Sequence, residues 1–274
     1  MLGGEPTLYP HLESFINLLN QETETLKQVL FITNLLGPDE SIEQICSCNV
    51  EEVALLINAT YDNDKEDIFE KHLLHVAKYK NIPKSLSITL FPNKDFNTKY
   101  IERLIKYSNP KYDIQSFRIG LMTPKPDEKI FNIYNYDEEI QLLIDLYKEN
   151  NLNLLKGIHF DCAINFCQIS LAKFNEIKKI PFIHGLSTIC NGSPLDIWPN
   201  HNIIYCSSST GDFIKYKYED FENGYEAELF LDKLKFQYIT KNKKCLNCEY
   251  FKLNICHPCH SFDQALLRGE GIDT

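Results

Sequence analysis

Apolar residues return along the first half of this chain in two alternating rhythms. Short continuous runs rich in Val, Ile and Leu alternate with longer stretches whose apolar positions recur at helical spacing. Gln28-Val-Leu-Phe-Ile-Thr33, Val53 to Thr60, Leu86 to Phe91 and Gln115 to Met122 are the continuous runs, and they predict buried strands. Pro92 stops the third and Thr123-Pro124 the fourth. Helical stripes lie around them. Pro10 to Glu22 carries Leu12, Phe15, Ile16, Leu18 and Leu19, and Lys65 to Tyr79 carries Ile68, Phe69, Leu73, Val76 and Ala77. Asn97 to Tyr107 carries Tyr100, Ile101, Leu104 and Ile105, while Tyr136 to Asn150 carries Ile140, Leu143, Ile144 and Tyr147. Gly37-Pro38-Asp39 breaks the chain, and Asp39 is placed to cap a short helix through Cys46. His72 and His75 read as surface residues of a helix, and Cys46 and Cys48 as structural or exposed thiols.

Strand and helix alternating in units of about thirty residues imply parallel βαβ crossovers, hence an α/β fold. Ligands of such folds sit at the carboxyl ends of strands. Gly3-Gly4-Glu5, Thr33-Asn34, Asn58 and Arg118 all fall at or near such ends. Leu2-Gly-Gly-Glu-Pro-Thr7 reads as the last residue of a strand and the loop after it. After Asn150 strong helical periodicity stops, and eight of the ten cysteines lie between Cys162 and Cys259. Two domains are therefore expected, residues 1–150 and 151–274, the second closing with a short helix from His260 to Arg268.

Composition narrows the chemistry. A net charge of −10 leaves no basic surplus to neutralise phosphates, which argues against a nucleic-acid partner. No apolar run approaches the ~20 residues that span a bilayer, and no secretory segment is visible, so the expected setting is cytoplasmic. There cysteines serve as thiols or metal ligands. Cys245-Leu-Asn-Cys248 and Cys256-His-Pro-Cys259 form two C-x-x-C hooks, and converging soft thiolates select zinc or iron–sulfur clusters. Their spacing alone suits either metal. Cys162 and Cys167, in His159-Phe-Asp-Cys-Ala-Ile-Asn-Phe-Cys, read as buried thiols or as further ligands.

Leu2-Gly-Gly-Glu-Pro-Thr-Leu-Tyr-Pro resembles the second-strand loop of radical S-adenosylmethionine enzymes, whose Gly-Gly-Glu contacts the methionyl amino group. Phe31-Ile-Thr-Asn-Leu-Leu is similar to the family's third-strand "TNG" element, with Leu35 where glycine usually stands. Cys190, the turn Leu195-Asp-Ile-Trp-Pro-Asn200, Cys206 and the Cys245–Cys259 hooks resemble the family's SPASM extension, again with His201 in a usual glycine position.

The resemblance implies an incomplete (β/α)6 partial TIM-type barrel lacking its first strands, plus a small cysteine-rich SPASM-like carboxyl-terminal domain. It implies S-adenosylmethionine contacts from Gly3, Gly4, Glu5, Thr33, Asn34, Asn58 and Arg118. It also implies auxiliary 4Fe-4S clusters. One would be held by Cys190, Cys206, Cys259 and a fourth ligand, either Cys162 or Cys167, and the other by Cys245, Cys248 and Cys256. Members with this extension modify peptides or proteins, so a peptide is the implied partner. The family's C-x-x-x-C-x-x-C loop, which holds the catalytic cluster, is not in this sequence. Three arrangements follow: a reading frame that continues upstream, a separate chain that supplies the catalytic cluster, or a pseudoenzyme. A non-catalytic zinc-binding interaction protein is the alternative from another class.

Overall fold

The computed structural model describes residues 5–22, 24, 26–91, 94–121, 135–149, 157–161, 164, 166–181, 183–184, 186–187, 195–197, 201–204, 216–239 and 246–256. Six strands form one open, all-parallel sheet in the order β1-β2-β3-β4-β5-β6. They are β1 Gln28–Thr33, β2 Glu52–Asn58, β3 Lys84–Leu90, β4 Ser116–Leu121, β5 Ile158–Phe160 and β6 Ile183–His184. The first four are the runs that the apolar pattern predicts. β5 and β6, three and two residues long, are too short to leave a pattern, and they carry the sheet past Asn150.

Helices α1 Leu12–Gln21, α3 Glu66–Val76, α4 Lys94–Tyr107 and α5 Asp137–Lys148 follow the periodic stripes, and α2 Asp39–Cys46 follows the Gly37-Pro38-Asp39 break. Three more were not expected: α6 Leu171–Ile177, α7 Gly224–Ile239 and α8 Glu249–Lys252. In α7 the apolar residues surround the axis, with Ala227 and Leu231 buried but Tyr225 and Leu229 exposed, which blurs the helical period. The expected helix from His260 to Arg268 lies outside the described residues. Among the described residues no helix is long and apolar enough to cross a membrane.

The chain forms two compact units. One comprises Met1–Gly120, Gln141–Asp161 and Lys179–His184, and the other Leu121–Ile140, Cys162–Lys178 and Gly185–Thr274. The second has its own small core of Ile203, Ala227 and Leu231, edged by Leu195, Tyr216, Phe221 and Phe230. There β7 Asp196–Ile197 pairs antiparallel with β8 Ile203–Ile204.

The two faces of the first unit's sheet differ sharply. Val53, Leu55, Ile57, Leu86, Ile88, Leu90, Phe117, Ile119, Ile158 and Phe160 line one face and are buried. They share it with helical residues such as Phe69, Leu73, Leu104 and Tyr107. The intervening residues put Asn58, Ser85, Ser87, Thr89, Ser116, Arg118, His159 and His184 on the other face. The same alternation puts Ala54, the buried Leu56 and, at β1, Leu30 and Ile32 on this second face, so its polar character grows from β3 towards β6.

Ion pairs tie the helical layer together. Arg103, 5% exposed, donates to the carbonyls of Ala59 and Tyr61 at 3.0 and 2.7 Å and to Glu66 at 3.2 Å, which holds the loop after β2. His72 is buried, not on the surface as expected. Its Nδ1 meets the Leu35 carbonyl and its Nε2 meets Asp39, each at 2.6 Å. Asp39 stands inside the first turn of α2, after Pro38 at the cap position, and is spent on this contact and on Lys71 at 2.6 Å. Cys46 and Cys48 are both buried, and burial pushes the Cys46 thiol up to about 12.

Hydrogen bonds from Lys71 and then His72 hold the Asp39 carboxyl at about 2, below its ordinary 3.8. Lys106 and then Tyr112 hold Glu70 at about 2, below 4.5. Folded values below the unfolded ones mean stability that is fully present above pH 4.5 and is lost as pH falls towards 2. The melting temperature is expected to drop across that interval, and Asp39→Asn and Glu70→Gln to flatten the drop. An acid limb untouched by both substitutions would show that these pairs carry no linkage.

Candidate functional site

The carboxyl end of β1 is built around one carboxylate. Glu5 precedes a 3-10 turn, Pro6–Leu8, and its Oε1 accepts from the Thr7 amide at 3.2 Å and the Thr7 hydroxyl at 2.6 Å. The same oxygen accepts from the Thr33 hydroxyl at 2.5 Å, and Oε2 accepts from the Asn34 amide at 2.6 Å. Three of the residues expected to share a site, Glu5, Thr33 and Asn34, are therefore brought into direct contact across 28 and 29 positions of sequence. Gly37 completes the fit, since a Cβ there would come within 2.1 Å of the Thr7 hydroxyl oxygen. Only glycine lets the Glu5–Thr7 loop lie this close.

The turn beyond is strained. Leu35 has φ 53°, in the left-handed region that glycine fills at no steric cost. A Leu there is held by its surroundings. Its amide donates to the Thr33 hydroxyl at 3.0 Å, its carbonyl accepts from His72, and its side chain is 1% exposed. His201, in the second unit, has φ 65° and pairs with Glu219 at the surface.

The remaining strand ends are less convergent. Asn58 turns its oxygen to the Thr60 amide at 2.9 Å, and the Thr60 hydroxyl accepts from the Thr89 amide at 2.9 Å. Asn58 thus serves a local turn that links β2 to β3. Arg118 of β4 donates from Nε to Asp161 at 2.5 Å, just past β5. Asp161, His159 and His184 were missed by sequence reasoning. The signal was the polar–apolar–polar alternation His159-Phe160-Asp161, which was read for its cysteines alone.

Gly3 and Gly4 lie outside the described residues, as do Cys162, Cys190, Cys206, Cys245 and Cys259. Of the expected metal ligands, Cys167, Cys248 and Cys256 are described, all in the second unit. Cys248 is the cap residue before α8, and the Cys256 amide returns to the Tyr250 carbonyl at 3.2 Å after Asn254 turns through φ 57°. This folded turn sets Cys256 beside Cys248. Burial pushes the Cys256 thiol up against an opposing hydrogen bond with the Phe166 backbone, and Cys248 adds to the rise. Tyr250 packs on Phe166, one residue before the exposed Cys167, with ring centroids 4.6 Å apart. Among the described residues no three His, Cys, Asp or Glu side chains converge on a metal.

No family model and no curated protein matches the sequence. Solved structures do. The chain shares its fold with SuiB from Streptococcus suis. SuiB bound to S-adenosylmethionine superposes with a TM-score of 0.60 at 14% identity, over 95% of this chain and 61% of SuiB. SuiB bound to its precursor peptide SuiA superposes with a TM-score of 0.57 at 15% identity, over 95% and 60%. This chain therefore spans about three-fifths of SuiB's length.

Two variants probe the site. Glu5→Ala leaves the buried Thr33 hydroxyl without its acceptor and is expected to cost about 1–3 kcal/mol by urea unfolding, with Gly37→Ala showing a comparable loss through displacement of Thr7. At the left-handed turn before Cys206, His201→Gly is expected to exceed His201→Ala in stability by about 1 kcal/mol. Equal stability of those two variants would remove the backbone explanation.

Proposed function

We propose that this chain is part of a radical S-adenosylmethionine enzyme that modifies a peptide, with auxiliary iron–sulfur clusters in its cysteine-rich end. The observation that carries the proposal is backbone geometry. Where the family places glycine in its third-strand element and before its second auxiliary cysteine, this chain has Leu35 and His201. Both adopt the left-handed conformation that glycine serves. SuiB, whose fold the chain shares, has been crystallised with S-adenosylmethionine and with a precursor peptide, and both facts support the same reading.

The chemistry of Glu5 supports a cationic ligand, and the soft thiolates of the cysteines suit iron–sulfur clusters. A carboxylate has about four lone-pair positions. Among the described residues, Oε1 of Glu5 is engaged by Thr7 and Thr33, while Oε2 accepts one bond, from Asn34, which leaves it able to meet an ammonium. Gly3, Gly4, Thr33, Asn34, Asn58 and Arg118 complete the proposed S-adenosylmethionine contacts. Cys190, Cys206, Cys245, Cys248, Cys256 and Cys259, with Cys162 or Cys167, are the proposed cluster ligands. The clusters would supply one-electron redox chemistry or an anchoring iron. Cys256, half-buried beside Cys248 with its thiol pushed up, would have to give up its proton to ligate a metal, which would couple cluster loading to proton release. The C-x-x-x-C-x-x-C loop is not in this sequence, and generation of the radical is not assigned to these residues. A cytoplasmic setting belongs to the same proposal, because such clusters need a reducing compartment.

Anaerobic purification with iron and sulfide analysis tests the reading. A brown protein with several irons per chain is expected, and Cys256→Ser is expected to lower the iron content. One colourless zinc per chain would sink the proposal and favour an interaction module.

A further inference from the structure

A transverse row of polar side chains crosses the open face of the sheet. Asn58 is the register partner of Ser87, Arg118 of His159, and His159 of His184. The Ser85 and Ser116 hydroxyls, 2.5 Å apart, join the two halves, because Ser87 and Arg118 stand two residues further along the same face. At one end of this row Arg118, His159 and His184 occupy three neighbouring strands. The two imidazole rings lie 5.1 Å apart at 34°, and both residues are exposed. Gly157 makes room for them: a Cβ there would sit 3.1 Å from Cδ2 of His184 and 3.4 Å from Nε2 of His159. Asp161, two residues beyond His159 on the same face, takes Nε of Arg118.

The geometry points to a carboxylate-binding seat made by His159, His184 and Arg118, whose occupant is an acidic side chain of a peptide. The peptide part rests on the function proposed above, whereas the carboxylate part stands on the row itself. Three groups able to carry positive charge face one carboxylate. In the empty seat Asp161 balances Arg118, and the neighbouring His184 ring opposes protonation of His159. Burial, then His184, then Arg118 hold His159 below its usual range, against the pull of Asp161.

An anion between the rings reverses this, because an imidazolium donates to it and is stabilised by it. With Arg118 and Asp161 already balanced, one negative charge is neutralised by taking up one proton. A phosphate dianion would require both rings to be charged 5.1 Å apart. A divalent metal is disfavoured by the permanent charge of Arg118 in the same row and by the want of a third ligand among the described residues. Binding should therefore tighten as pH falls through the His159 midpoint and weaken as it rises.

Nuclear magnetic resonance titration of the histidine rings in the whole chain tests this, with acetate, a short glutamyl peptide, its glutaminyl counterpart and zinc as separate probes. Acetate and the glutamyl peptide are each expected to raise the His159 midpoint by about 1 to 3 pH units, the peptide at lower concentration. The glutaminyl peptide should leave it in place. The double variant His159→Gln, His184→Gln should bind acetate at least about tenfold more weakly. Gly157→Ala, which crowds His184 without removing a ring, should weaken it too and serves if the double variant misfolds. Rings that ignore both carboxylates, or that answer only to zinc, overturn the seat. A response to acetate without preference for the glutamyl over the glutaminyl peptide overturns the peptide occupant alone. Neither result depends on iron content, so failure here and failure of the proposed function are separable.

Discussion

The carboxylate of Glu5 organises the end of the sheet on which the proposed chemistry depends. It gathers two hydroxyls and two amides, and in doing so fastens the entering loop to the carboxyl end of β1. Thr33, so fixed, accepts from the Leu35 amide, and His72 takes the Leu35 carbonyl from the other side. Leu35 is thereby kept in a conformation it would otherwise leave. Strain of this kind survives only when several independent contacts determine it, and here they come from the entering loop, β1 and α3.

From that end the sheet offers two different surfaces. Side-chain alternation sends one set of residues into a hydrophobic layer under the helices and the other to a face of serines, asparagine, arginine and histidines. The buried layer contributes stability and the polar face remains available for ligands. Arg118 belongs to the second group, so its pairing with Asp161 orients a guanidinium on the polar face, away from the core. Asn58 and Arg118 share this face with the seat proposed for a carboxylate, whereas Thr33, the register partner of Ile57, lies on the buried side.

The cysteine-rich end obeys different physics. Its described core is small, three buried residues edged by aromatic and aliphatic neighbours, and a small core gains from external cross-links such as metal–thiolate bonds. The turn from Cys248 to Cys256 is shaped by backbone hydrogen bonds and one left-handed residue, Asn254, so the backbone alone places both thiols.

Four strands and five helices were legible in the sequence because each is long enough to show its period, and the α/β class follows from their alternation. The meeting of Glu5 with Thr33 and Asn34 was legible because both short elements fall at strand ends. β5 and β6 were not, being shorter than any pattern, nor was α7, whose apolar residues surround its axis. His72 was misplaced because its neighbours in sequence do not reveal that α3 packs against the Leu35 carbonyl. Tertiary structure alone brought Arg118, His159 and His184 into one row, since register between parallel strands is set by crossovers that no short stretch of sequence encodes.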